Sequence, residues 1–549
     1  MSGRQDLVSA SKWMALGTVF SRITGFLRTF LIVAAIGKSL NADIFNSANT
    51  IPTALYILVA GGIFNVVLVP QLIRAMKNDP DGGDAYANRV VTLGLLVLSS
   101  ATVILVLIVP LLMRVVFIGK FFGPGLEHQR ESATLLMALC MPQVFFYGAF
   151  VLVGQILNAR GRFGPMMWAP IINNVVACAV VGVYIGAFGS TDAANGFTNR
   201  QALVLGLGST LGIALQTLVL VPYLRRTGFH FRPRFDFRGV GLGHTLRLGM
   251  WTLLFIVANQ IAFFVINRIG TGANIEAAGS GAEAAGSAVY EIGFLISQVP
   301  HGIITVSLAT AMMPMLSALA AEGRLPRMRL ELGRTVRLAL VIVAPLAVAV
   351  ACLGQQAATV TTSYGAIKGN TELIGHTIQA FAPAMVVFTV HYLMLRGFYA
   401  AENTRTPFFI QLVIAATNIA AAYFLTSLVG PAWVSTMLAL AFGAAYLVGS
   451  ALSATLLSRL VGPIFDAEMW RFLLRMVIAC ALSAGTMIGL LHGLSALIVD
   501  ESTVSGGLVI VLVGGGAGAG VFLLAARLMR LEEISYLANN LLRRRAAPQ

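Results

Sequence analysis

The chain has 549 residues, of which 57% are hydrophobic and 11% charged. Soluble chains average about 25% charged residues, so this composition excludes a water-soluble globular protein and specifies a polytopic helical membrane protein. The formal net charge of +15 does not mark a nucleic-acid binder, because the basic residues are distributed by membrane side rather than gathered in one patch.

Apolar runs predict fourteen transmembrane helices, near residues 10–36, 44–73, 90–119, 131–157, 165–189, 200–224, 246–270, 286–320, 335–359, 374–400, 406–429, 431–458, 470–493 and 504–529. The first run carries two arginines and no small-residue cleavage site, so it reads as a retained span rather than a signal peptide. The expected fold class is all-α: a six-helix lobe over 1–230, a second over 231–462, two additional helices over 463–531 and a basic tail over 532–549. Of the 37 Lys and Arg residues, 28 fall at the termini and on one set of loops. Seven fall on the opposite side (Lys38, Arg114, Lys120, Arg130, Arg200, Arg268 and Lys368), and two, Arg22 and Arg28, lie within the first span. The positive-inside rule then makes both termini cytoplasmic. Cys140, Cys178, Cys352 and Cys480 all lie in apolar runs and read as small core residues.

The densest basic loop, "RRTGFHFRPRFDFRG" (225–239), alternates Phe with Arg. It reads as a positive-inside loop with aromatic anchors, or as an interfacial segment that holds anionic headgroups. Two helix–turn–helix stretches echo each other, with Gly154 and Arg162 standing 243 residues before Gly397 and Arg405. Such an echo is expected of transporters built from parallel repeats.

The first span, "TVFSRITGFLRTFLIVAAIG" (18–37), is unusual for its two guanidinium groups. With Ser21 at zero on a wheel of about 100° per residue, Thr18, Arg22, Gly25, Arg28 and Thr29 share a sector roughly 120° wide. An arginine at mid-span costs about 2.5–3.5 kcal/mol on insertion scales, and no acid in the helix pairs with either. One wet face is therefore predicted, lining a hydrated chamber and suited to phosphate or carboxylate. The second span adds Asp43, Asn46, Asn49 and Asn65, with Pro52, Gly61 and Gly62 as candidate hinges. Asn259, Gln260, Asn267, Arg268, Gln298, Pro300 and Gly302 make a similar polar, breakable set in the second lobe.

The stretches "SRITGFLRTFLIVAAIG", "NADIFNSANTIP", "GGIFNVVLVPQL", "GQILNARGRFGPMMWAPIINN", "LATAMMPMLS" and "GFYAAENTRTP" resemble the MurJ (MviN) lipid II flippases of the multidrug/oligosaccharidyl-lipid/polysaccharide exporter superfamily. The resemblance runs over roughly residues 10–530. It implies fourteen helices in two lobes around a cationic cavity, and a groove made with the last two helices for a polyprenyl tail. It also implies that Arg22 and Arg28 face the cavity, with Asp43 as the acid after the first loop. The chain departs from the family where an arginine and an acid give way to Tyr56 and Gly61, and where an acid–arginine pair gives way to Phe294 and Leu295. Arg268 is a candidate replacement for one missing charge.

The expected function is outward translocation of lipid II, an undecaprenyl-pyrophosphate disaccharide-pentapeptide, across the cell membrane by alternating access, for cell wall synthesis. The expected substrate-binding residues are Ser21, Arg22, Arg28, Asp43, Asn49, Tyr56, Arg268 and Gln298. The expected hinges are Pro52, Gly61, Gly62, Pro300 and Gly302. No cofactor or metal is expected: the seven histidines lack metal spacing, and no G-x-x-x-x-G-K-S/T loop occurs. The drive then falls to the membrane potential or an ion gradient. Expected partners are lipid II, membrane lipids and the cell-wall synthesis machinery, without nucleic acid. The alternatives are another exporter of the superfamily (a polysaccharide-lipid flippase or a drug/cation antiporter, which needs buried acids) and a polyprenyl-phosphate membrane enzyme, which needs acids or metal ligands beside a sizeable external loop.

Overall fold

The computed structural model describes residues 2–58, 81, 83–162, 164–236, 242–278, 282–368, 370–497 and 500–534, with the backbone alone over 2–15 and 242–249 and at 497. The described residues contain no β-strand, and thirteen of their helices are long and apolar enough to cross a membrane. The second predicted span, 44–73, is described only to Leu58; Gly61, Gly62 and Asn65 lie outside the described residues.

Two compact units divide the chain, residues 1–282 and 283–549. In the first, α1 (Ser2–Ile36), α2 (Leu40–Ile57), α3 (Asp84–Leu107) and α4 (Val109–Val116) are followed by α5 (Glu127–Cys140) and α6 (Gln143–Ala159). Then come α7 (Gly164–Phe188), α8 (Asn199–Leu218), α9 (Leu220–Arg226) and α10 (Leu242–Ala277). Helix α1 packs on α7, α7 on α8 and α3 on α6. Helix α10 packs on α2 and α4, so it joins the first unit, whereas the sequence reading closed the first lobe at residue 230. Ser47 and Asn274 also tie α2 to α10 by side-chain hydrogen bonds, which hydropathy does not reveal.

In the second unit, α11 (Ser287–Pro300), α12 (Val306–Ala321), α13 (Leu325–Thr362) and α14 (Glu372–Ala400) precede α15 (Arg405–Thr426), α16 (Val434–Val461), α17 (Ala467–Leu497) and α18 (Val504–Leu528). Helix α14 packs on α13 and α16, while α17 and α18 pack on each other and on α13. Lipid supplies no hydrophobic drive between helices, so close approach depends on small residues and polar ties. The Gly518 carbonyl accepts a bond from Ser483 at 2.8 Å, and a Cβ at Gly518 would meet Met487 at 2.2 Å.

The turn ending α6 and the one ending α14 close alike. Arg162 N–H reaches the Leu157 carbonyl, and Asn403 N–H reaches that of Phe398. Gly161 and Glu402 take left-handed backbone, with φ of +75° and +56°. The matching turns are 241 residues apart, close to the 243 of the sequence echo. The same closure recurs where Arg324 N–H meets the Leu319 carbonyl, as expected of a common helix C-cap.

Between α1 and α2 the chain turns on Gly37, whose φ is +79°. The Asp192 carboxylate accepts from the Lys38 and Ser39 N–H groups, at 2.8 Å each. A Cβ on Gly37 would stand 2.1 Å from the Asp192 oxygen. Gly37→Ala therefore combines a left-handed backbone cost of roughly 1–2 kcal/mol with loss of this clamp. It is expected to lower the melting temperature of detergent-solubilised protein by several degrees, while Asp192→Asn lowers it less.

Candidate functional site

In the first unit, Arg22 is exposed and forms no hydrogen bond or ion pair among the described residues. Arg28 is half-buried; its Nε is enclosed without a hydrogen-bond partner. Tyr147 of α6 and Cys178 of α7 lie within electrostatic range of its guanidinium. Tyr56 of α2 stacks on Tyr147 with ring centroids 4.7 Å apart, so α1, α2, α6 and α7 all contribute to the surroundings of Arg28. No described carboxylate pairs with either arginine.

The wet sector drawn on the wheel is divided by packing. Asn174 of α7 donates to the Ser21 carbonyl and to Thr24 Oγ1, each at 3.0 Å. Gly17 and Gly25 let α7 approach, since a Cβ at Gly17 would meet Trp168 at 2.9 Å and one at Gly25 would meet Asn174 at 3.5 Å. Ser21 and Gly25 thus serve a helix–helix contact. Thr24 and Thr29 bond to their own helix, at the carbonyls of Phe20 and Gly25, which removes much of their polarity. The strong polar character that remains belongs to the arginines. Phe20, Ile23 and Leu27 form the exposed apolar face of the same helix.

Asp43 and Asn49 are engaged in packing. Asp43 is fully enclosed and accepts from Asn274 Nδ2 at 2.9 Å, while the same amide donates to the Lys38 carbonyl at 3.1 Å. The carboxylate expected to meet a ligand is instead walled off and ties the α1–α2 connection to α10. Asn49 accepts from Gln143 at 3.0 Å, joining α2 to α6. The Arg268 guanidinium reaches the Val115 carbonyl at 3.5 Å, about 9 Å along α10 from Asn274. It caps the end of α4 rather than joining Arg22 or Arg28. Pro52 sits within α2.

In the second unit, Gln298 is half-buried in the last turn of α11, where its carbonyl accepts from the His301 N–H. Pro300 ends that helix and a π-turn follows at His301–Thr305, containing Gly302. Both predicted hinge residues of this span therefore sit at a break in the regular hydrogen-bond ladder. Phe294 lies against Phe381 and Phe442 in edge-to-face contacts, with centroids 5.9 and 5.5 Å apart, and Leu295 is half-buried. Aromatic packing occupies the position of the missing family charges.

Sequence reasoning passed over Arg396. Its guanidinium lies over Tyr392 at 4.4 Å and near Tyr399 at 5.9 Å. The ring of His301 adjoins Phe388 and Tyr392 at 4.5 and 4.7 Å. The signal was an arginine four residues after a tyrosine inside a predicted span, a spacing that puts both on one helix face. An apolar groove of about 320 Å³ is lined by residues of α13, α14 and α17, among them Leu340, Val348, Pro383 and Met476. Only the first of the two additional helices contributes to it. Among the described residues no group of His, Cys, Asp and Glu could hold a metal ion.

A family model described as lipid II flippase MurJ matches residues 32–504. A probable lipid II flippase MurJ of Rhizobium tropici is 26% identical over 552 residues, covering 98% of this chain and 97% of that protein. The one from Haemophilus influenzae is 26% identical over 420 residues, covering 73% and 78%. A solved structure of lipid II flippase MurJ in an inward closed conformation superposes with a TM-score of 0.69 at 19% identity, over 93% of this chain and 98% of that one. A MATE transporter in complex with MaD3S gives 0.53 at 16%, over 82% and 96%. At these identities the two structures speak to the fold alone. The extent of the family match, which covers most of the chain, decides the assignment: this chain belongs to the MurJ lipid II flippase family.

Proposed function

We propose that this multi-pass membrane protein translocates lipid II from the inner to the outer leaflet of the cell membrane, by alternating access, for peptidoglycan synthesis. The observation that carries the reading is Arg28, a guanidinium in a membrane span with an enclosed, unsatisfied Nε and, among the described residues, no carboxylate partner. Leaving such a group without a counter-charge is costly in a low-dielectric interior. A pyrophosphate arriving from the cytoplasmic leaflet supplies what is missing, since a guanidinium donates two parallel bonds to phosphate oxygens. Arg22, exposed and about 9 Å away along the helix axis, engages the cargo as it enters or leaves.

The polyprenyl tail stays in or near lipid, and the 320 Å³ groove of the second unit has the apolar lining it requires. Pro52 and the π-turn at 301–305 offer bending points for switching access. Translocation makes and breaks no covalent bond, so the protein acts as a transporter rather than an enzyme. Both termini are cytoplasmic in this reading, as the distribution of Lys and Arg requires. The membrane potential, negative inside, favours outward movement of an anion by about 2.3 kcal/mol per charge per 100 mV; an ion gradient is the other available drive.

Arg28→Ala and Arg22→Ala are each expected to weaken cargo binding roughly ten- to a hundred-fold, the worth of one charge-assisted interaction. In cells that depend on this protein, the lipid-linked precursor should then stop becoming accessible at the outer surface while its synthesis continues. Persistent accessibility in both single variants and the double would sink the reading.

In proteoliposomes loaded with potassium, valinomycin-imposed potential (negative on the cytoplasmic-facing side) is expected to raise the outward fraction of labelled lipid II. Clamping the potential at zero should remove the gain. A response to an ionophore that collapses only a cation gradient, with none to valinomycin, would transfer the drive to that ion.

A further inference from the structure

We propose that the flank of the first unit carries a site for an anionic phospholipid of the surrounding leaflet, with an acyl chain in a groove between α1, α7 and α8–α9 and the phosphate on the basic turn above it. The groove has a volume of about 480 Å³ and is lined by Phe20, Trp168, Ile172, Val219 and Tyr223 among others. That volume lies in the range of pockets that hold small organic ligands, roughly 300–1,000 Å³. Phe20 and Trp168 stack at 6.2 Å and wall one side.

The rim has the opposite chemistry. Tyr223 is three residues from Arg226, the last residue of α9, whose guanidinium lies over the Tyr223 ring at 5.8 Å. Trp168 is four residues into α7, so the groove opens about 6 Å below the turn. That is the step from phosphate to acyl chain at a bilayer surface. Arg162, Arg225 and Arg226 are exposed and make no ion pair among the described residues. Two acids tied to this region are occupied: Asp84 pairs with Arg160, which also reaches the Thr227 carbonyl, and Asp236 pairs with Arg89 at 2.9 Å.

Residues 229–234 of the basic loop are also held fixed. Phe229 is buried beneath Arg160, 5.3 Å from its guanidinium to the ring centroid. The N–H groups of Arg232 and Arg234 donate to Asn88 and Thr92 of α3, at 2.7 and 3.0 Å. Phe231 and Phe235 remain 45% and 68% exposed, as interfacial aromatics do. A preformed slot with unpaired arginines at headgroup depth matches a phospholipid bearing a net negative charge, and the match does not depend on what cargo the protein carries.

The test uses the full chain with Trp168 as its only tryptophan, reconstituted in phosphatidylcholine vesicles. Acyl-brominated phosphatidylglycerol or acyl-brominated phosphatidylcholine is added at matched low mole fraction as a fluorescence quencher. Quenching of Trp168 should favour the brominated phosphatidylglycerol by about five-fold for one engaged arginine and about thirty-fold for two, at about 1 kcal/mol each. Arg225→Gln with Arg226→Gln should bring the two lipids to near equality.

Equal quenching by both lipids, or a preference that survives the double substitution, would overturn the site. So would displacement of the brominated lipid by polyprenyl phosphate but not by unlabelled phosphatidylglycerol, which would assign the groove to the cargo. Should the single-tryptophan chain fail to fold, native mass spectrometry of the chain with all its tryptophans gives a second measure. Loss of one retained phosphatidylglycerol in the arginine variant supports the site, and unchanged retention overturns it.

Discussion

The Arg28 guanidinium, inside a membrane span and with no counter-charge among the described residues, is the constraint from which the proposed function of this protein follows. A guanidinium is a permanent cation in proteins, so its cost in a low-dielectric interior is met by a partner or by water. Among the described residues no carboxylate comes to it; its surroundings are Tyr147, Cys178 and, through ring stacking, Tyr56. A site of this kind is incomplete without an anion. In the proposed function the same incompleteness provides selectivity, because a neutral lipid gives nothing back for desolvation. In the proposed cycle the pyrophosphate satisfies a group that the fold leaves open.

Several contacts in the first unit hold that helix in place. Gly17 and Gly25 bring α7 within contact distance, and Asn174 spends its amide on the α1 backbone. At the far end, Gly37, Asp192, Asp43 and Asn274 lock the α1–α2 connection through buried hydrogen bonds. Such ties are strong where water cannot compete, and a precisely held arginine needs them. The second unit differs in character. Its interior around Phe294, Phe381 and Phe442 is aromatic, and its break at His301–Thr305 adds a bending point. Charge for gripping stands out in the first unit, whereas an apolar groove and a break in a helix stand out in the second.

Much of this was legible in the sequence because a bilayer enforces it. Spans must be helical and long, so the predicted 374–400 and 504–529 meet helices at Glu372–Ala400 and Val504–Leu528. Arginines in a span are rare enough to announce themselves. What a single helix cannot show is which neighbour lies against it. The wheel grouped Ser21 and Gly25 with the arginines, yet α7 claims them. Asp43 looked like a ligand-facing acid until Asn274, 231 residues further on, enclosed it. Likewise Ser47 and Asn274 pair α2 with α10 across 220 and 231 residues, a contact that order in the chain does not show. Arg396 was readable, four residues after Tyr392, but sat too close to a predicted helix end to be weighed as an intramembrane charge.

The central claim is that Arg28 touches the phosphates of the cargo, and a distance measurement addresses it most directly. Solid-state NMR of guanidino-¹⁵N-arginine protein in bilayers with lipid II can report nitrogen–phosphorus dipolar coupling, with Arg28→Lys protein as the control. Direct hydrogen bonding predicts dephasing that corresponds to a separation of about 4 Å, lost in the control. Identical dephasing curves for the two proteins, with lipid II bound to both, would contradict the account.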